Sequence, residues 1–269
     1  MTNGGCAGRA GTARPAGPAG RGVPLVPPVP SPGPPVLVGC SHGTDDAAGR
    51  AAIRALLDAV AAARPDLDVR EAFVDVQTPE VADVVAAALA ERGSPGGALG
   101  AVVVPLLLSV GYHVKVDIAA AVDRPGATAA APLGPDPRLV DLLVDRLAEA
   151  DLAGHDAVVL AAAGSSDVAA ALAVEAVAAG LAARIARPVT IGYGAGARPR
   201  VPEAVAAARA GLPRGGRVVV ASYLLAPGYF HDRVLESGAD VVAAPLAGPG
   251  ATDPRLVAVV LDRYEAARS

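Results

Sequence analysis

Between Pro35 and the end of the chain, short apolar runs alternate with helical stripes. Val36–Cys40 is an unbroken apolar run, the mark of a strand buried on both faces. Ile53, Leu56, Leu57 and Val60 then recur at i, i+3, i+4 and i+7, which is one face of a helix. Val69–Val74 predicts a second strand, and Val81, Val84, Val85, Ala88 and Leu89 a second helix. Ala101–Val104 predicts a third strand, closed by Pro105, which has no donor for a ladder. A helix over Val114–Val122, a short strand over 127–131 and a helix marked by Leu139, Leu142, Leu143 and Leu147 follow. Strands alternating with helices call for parallel sheets covered on both faces.

The pattern then repeats. Val158–Ala162 resembles Val36–Cys40, and Ala163-Gly164-Ser165-Ser166-Asp167 lies where His42-Gly43-Thr44-Asp45-Asp46 would. Leu-Leu-x-Pro-Gly-Tyr within Val218–Tyr229 parallels Leu-Leu-x-Val-Gly-Tyr within Val102–Tyr112. Ala-Pro-Leu and Asp-Pro-Arg-Leu-Val recur after each third unit. The expectation is a duplicated α/β fold: residues 35–151 as one lobe, 152–269 as a second, with an interlobe cleft. Residues 1–34 are dense in Gly, Pro and Ala, lack an apolar period and read as a disordered tail.

Hydrophobic residues make up 52% of the chain but aromatics only 3%, so its core must be built from Val, Leu and Ala. The formal charge is −4. Arg9, Arg14 and Arg21 lie in the acid-free tail, so removing their +3 leaves −7 on the body. Such a body argues against a nucleic-acid partner, which requires a basic surface. No run of 18 apolar residues is free of charges and breakers, so no membrane span is expected. Two cysteines, Cys6 and Cys40, and no convincing signal peptide fit a cytoplasmic protein without a structural disulfide.

Ligands of open parallel sheets bind beyond the carboxyl ends of the strands, where the strand order reverses. In a flavodoxin-like order that point lies between the first and third strands. His42 follows the first strand and His113 the third, while Asp75 follows the second. Two imidazoles and a carboxylate at one sheet edge can bind a borderline divalent ion. They can equally take up protons near neutral pH. Cys40 reads as a small buried residue, with a soft-ligand role as the alternative.

Three motifs carry a resemblance. Ser41-His42-Gly43-Thr44, Phe73-Val74-Asp75 with Pro79, and Val104-Pro-Leu-Leu-Leu-Ser-Val-Gly-Tyr-His-Val-Lys-Val-Asp-Ile118 resemble the class II chelatases, the CbiX-type sirohydrochlorin chelatases. The resemblance covers residues 36–269 and is densest over 36–123. It implies two tandem flavodoxin-like lobes and a metal chelatase, a lyase of sirohaem or cobalamin synthesis. It implies a sirohydrochlorin-type tetrapyrrole as substrate, Fe2+ or Co2+ as co-substrate and no organic cofactor. It assigns His42 and His113 to metal handling and proton removal. Asp75 stands where the family commonly has a glutamate. Ser41, Ser109, Tyr112 and Lys115 are the expected substrate-lining residues, with Arg50, Arg198 and Arg200 as further cations. In the second half Ala163 replaces the first histidine and Phe230 stands opposite His113, so that lobe is expected to be degenerate. The expected assembly is a monomer or homodimer. A histidine phosphatase is disfavoured because Ser41, not an arginine, precedes His42. A two-lobed solute receptor is disfavoured by the missing export signal. A non-catalytic carrier of metal or tetrapyrrole would need the same ligands.

Overall fold

The predicted alternation resolves into two parallel four-stranded sheets. A computed structural model describes residues 1–5, 8, 11, 33–92, 98–109, 111–248 and 251–269, without the side chains of residues 112–114. Most of the stretch expected to be a tail, residues 1–34, lies outside the described residues. Gly33–Ser269 forms one unit.

In the first sheet β1 (Val36–Ser41) lies between β2 (Val69–Phe73) and β3 (Ala101–Pro105), with β4 (Ala127–Ala129) outside β3. In the second, β5 (Ala157–Ala162) lies between β6 (Val189–Tyr193) and β7 (Val218–Tyr223), with β8 (Val241–Val242) outside β7. The registers superpose. Leu37 pairs with Val69 and Val102, and Val158 with Val189 and Val219. The chain thus has the same strand order twice, with the order reversing at β1 and at β5. The predicted strand 127–131 ends at Ala129, although the Ala130 N–H still donates to the Val103 carbonyl.

Eight helices occupy the described residues: α1 (Ala47–Ala63), α2 (Val81–Arg92), α3 (Tyr112–Val122), α4 (Pro137–Glu149), α5 (Val168–Ile185), α6 (Val201–Ala210), α7 (Tyr229–Leu235) and α8 (Pro254–Arg268). Matching aspartates start matching helices. Asp46 and Asp167 cap α1 and α5, while Asp136 and Asp253 cap α4 and α8. Each carboxylate accepts an N–H of the first turn, which satisfies a donor that the helix leaves free. Proline then takes an early position of α4 and α8, where its missing N–H costs nothing.

The last helix of each repeat covers the other repeat's sheet. α4 packs on β7 and α5, and α8 packs on β3, β4 and α1. α4 and α8 also touch each other, through a symmetric pair of bridges: Arg138 to Asp262 and Arg255 to Asp145, each at 2.6 Å. One apolar core therefore runs through both lobes, joining Leu37, Val104 and Leu143 to Tyr223, Val260 and Tyr264. Smaller clusters lie under α2 and α3 on one outer face and under α6 and α7 on the other. α5 is long and apolar enough to cross a membrane, with a mean hydropathy of 1.8. It nevertheless carries Glu175 and Arg184, and it buries Val174, Val177 and Leu181 in the shared core.

Candidate functional site

β1 ends at Ser41, and the chain turns sharply at Gly43, whose φ is +93°. That turn brings the next loop underneath. The Val74 and Asp75 N–H groups donate to the Ser41 and His42 carbonyls, both at 3.0 Å. A Cβ at Gly43 would overlap the Asp75 carbonyl oxygen, so only glycine fits both the dihedral and the space. Gln77 closes the arrangement, its side-chain oxygen accepting from the Thr44 N–H at 2.9 Å. His42 and Asp75 thus rise side by side from the ends of β1 and β2, and both are exposed. The Asp75 carboxylate accepts the Val76 N–H at 2.7 Å, which fixes one oxygen and leaves the other open.

β3 lies on the other side of β1, and the Leu106 N–H donates to the Cys40 carbonyl at 2.7 Å. His113 is the second residue of α3, which starts at Tyr112, two residues earlier than the predicted helix. The expected contacts of Tyr112 and His113 fall on side chains outside the described residues. Among the described residues no three His, Cys, Asp or Glu side chains gather closely enough to hold an ion. Lys115 is exposed on α3, Ser109 is half-buried and Ser41 is buried in β1. Two surface hollows, one along Ala119–Asp123 and one between Arg54 and Glu71, include neither His42 nor Asp75.

The soft-ligand alternative for Cys40 does not hold. Its side chain lies fully buried with Val36 and Val38 on the face that packs on α2 and α3. Burial pushes its thiol up to about 12, and its side chain packs in the α2–α3 core instead of at the strand end. Two of the expected cations are also committed locally. Arg50 donates to the Thr44 and Asp45 carbonyls and pairs with the Asp45 carboxylate, and Arg198 pairs with Glu203. Arg200 caps α6, and its Nη1 is buried without a hydrogen-bond partner.

The second repeat supplies an internal comparison. Its turn has the same shape, with Gly164 at φ +85° packed on the Ala195 carbonyl. By strand register, Ala163 corresponds to His42, Ala195 to Asp75 and Phe230 to His113. All three polar groups are therefore missing together. Where Asp75 is followed by Thr78 and Glu80, Ala195 is followed by Arg198 and Arg200.

The two strand-end loops meet crosswise. A Cβ on Gly228 would lie 3.2 Å from the Thr44 Oγ1, and one on Gly111 would lie 3.5 Å from the Ser165 Oγ. A Cβ on Gly49 would overlap the Pro227 carbonyl. The loop that follows His42 thus touches the start of α7, the helix that carries Phe230. The sequence already set Ala163 against His42 and Phe230 against His113; the strand register adds Ala195 against Asp75.

A family model described as CbiX matches residues 36–150 and again residues 157–267. The chain belongs to the CbiX family. Its fold is also that of solved structures. SirB from Bacillus subtilis with Fe3+ superposes with a TM-score of 0.69 at 19% identity, covering 86% of this chain and 94% of that one. The sirohydrochlorin chelatase SirB from Bacillus subtilis subspecies spizizenii, in complex with cobalt, gives a TM-score of 0.66 at 20% identity over the same shares. No curated protein matches the chain. Membership agrees with the two-lobed reading, since the family model fits each repeat separately.

Proposed function

We propose that this chain inserts a divalent metal ion, Fe2+ or Co2+, into a sirohydrochlorin-type tetrapyrrole for sirohaem or cobalamin synthesis. Family membership supports the reaction class. The observation that carries the site is the joint replacement of His42, Asp75 and His113 by Ala163, Ala195 and Phe230. Three positions that change together, on one strand-end geometry, behave as one functional set. His42 and His113 hold the ion as neutral imidazoles, which suit borderline metals and release them to a macrocycle. Asp75 adds a carboxylate oxygen that balances the ion's charge.

Insertion is an exchange of a metal ion for protons. The two pyrrole N–H groups lose their protons as four ring nitrogens close on the ion, so two protons leave for each metal that enters. A histidine that has released its metal is free to accept one of them as a general base, and the other leaves to solvent. Ser41, Ser109, Tyr112 and Lys115 are proposed to line the substrate, with Lys115 as the nearest exposed cation to His113 in sequence.

Anaerobic absorption spectra of sirohydrochlorin with Fe2+ or Co2+ test the reading. The wild type is expected to accelerate insertion, and His42→Ala and His113→Ala are each expected to slow it about 100-fold or more. A wild-type rate equal to the uncatalysed background with both ions would sink the proposal.

A further inference from the structure

The second lobe keeps the turn of the first but none of its ligands, and what replaces them has a consistent character. Ala163 and Ala195 are small and apolar. Phe230 is large and 37% exposed, unusual in a chain with only two phenylalanines. Its ring rests on the loop after β6, since a Cβ at Gly194 would come within 2.9 Å of the Phe230 Cδ1. Gly194-Ala195-Gly196 therefore presents nearly bare backbone beside an aromatic ring. At the end of that loop stand Arg198 and Arg200, where the first lobe has Thr78 and Glu80. The charge of the loop is thus inverted between the repeats.

We infer that Phe230 and the Gly194-Ala195-Gly196 backbone form the wall on which the face of the tetrapyrrole ring rests. This inference rests on the chelatase reading and names the contact that the substrate makes with the second lobe. A ring platform needs a flat apolar surface without a competing ligand, and the three replaced positions supply it. A tetrapyrrole is planar and aromatic at its centre, so a wall of one aromatic ring beside bare backbone complements its face. The crosswise seam adds the geometry. The Thr44–Gly228 approach brings the start of α7, which carries Phe230, against the loop that follows His42, so a ring lying against Phe230 lies next to the first lobe's strand ends. Aromatic stacking and the burial of ring faces supply affinity without fixing a single orientation of the side groups.

Absorption titrations of metal-free sirohydrochlorin onto the full chain, run beside Co2+ binding by calorimetry, test the wall. Phe230→Ala is expected to weaken tetrapyrrole binding about tenfold, the loss that one stacking contact accounts for, and to leave Co2+ binding unchanged. Phe230→Trp is expected to retain affinity within a fewfold. Ala195→Asp, which returns a carboxylate to the loop, is expected to weaken binding of the anionic ring. If the wild type binds tetrapyrrole and Phe230→Ala binds equally well, the wall is overturned while the chelatase reading stands. If the wild type does not bind tetrapyrrole at all, both fall together.

Discussion

At the residue scale, the site depends on a backbone position more than on any side-chain contact. Gly43 holds a left-handed conformation while the Asp75 carbonyl sits where its Cβ would be. Gly111 has neither constraint, since a Cβ there would meet only the Ser165 Oγ at ordinary contact distance. Gly43→Ala is therefore expected to cost about 1–3 kcal/mol and to displace the Asp75 loop, whereas Gly111→Ala changes stability by less than about 1 kcal/mol. Denaturant melts compare the two directly, and equal effects would contradict the account. His42 and Asp75 were legible in the sequence because a strand-end position follows from the apolar runs. Phe230 was legible as the counterpart of His113 but not as an exposed ring, because a lone aromatic reads as core. His231, next to Phe230 on α7, is half-buried. Its Nδ1 is buried with no hydrogen-bond partner, and burial outweighs Asp232 in lowering its pKa.

At the scale of elements, the strands and helices were legible but their partners were not. Hydrophobic period tells which face of a helix is buried, and Leu139, Leu142, Leu143 and Leu147 did mark the buried stripe of α4. It does not tell which sheet covers that stripe, and here the sheet belongs to the other repeat. β4 and β8 are too short, at three and two residues, for any alternation to show. The exchanged helices also separate two kinds of contact. The Arg138–Asp262 bridge has a partner that is 60% exposed, so water and salt screen it. Leu143 is fully buried between the helices and the second sheet. Asp262→Asn is expected to change stability by less than about 1 kcal/mol, and Leu143→Ala to lower it by about 2–5 kcal/mol. Urea midpoints at low and high salt check both, and a larger loss for the aspartate would reverse the ranking.

At the scale of the whole molecule, the sequence repeat and the folding unit are different things. The repeat boundary near residue 151 leaves α4 on one side of a cut and the sheet it covers on the other. A fragment of residues 35–151 would keep the first sheet but lack α8, which buries Leu256, Val259, Val260 and Tyr264 in the shared core. Each such side chain contributes about 1.5–3 kcal/mol when taken from water, so the loss is on the order of a whole domain's net stability. The same fragment would expose the apolar stripe of α4. Tyr264 also donates to the Pro35 carbonyl at 2.7 Å, so even the start of the first lobe is tied by the last helix of the chain. The fragments 35–151 and 152–269 are therefore expected to be unfolded or aggregated when made alone. Made together, they are expected to assemble into one complex, since each carries the helix that the other needs. Gel filtration and amide spectra of each fragment, alone and mixed, decide the matter. A cooperatively unfolding monomer of 35–151 alone would show that helix exchange is dispensable. It would also show that the cleft is set by the strand-end seam instead of by the shared core.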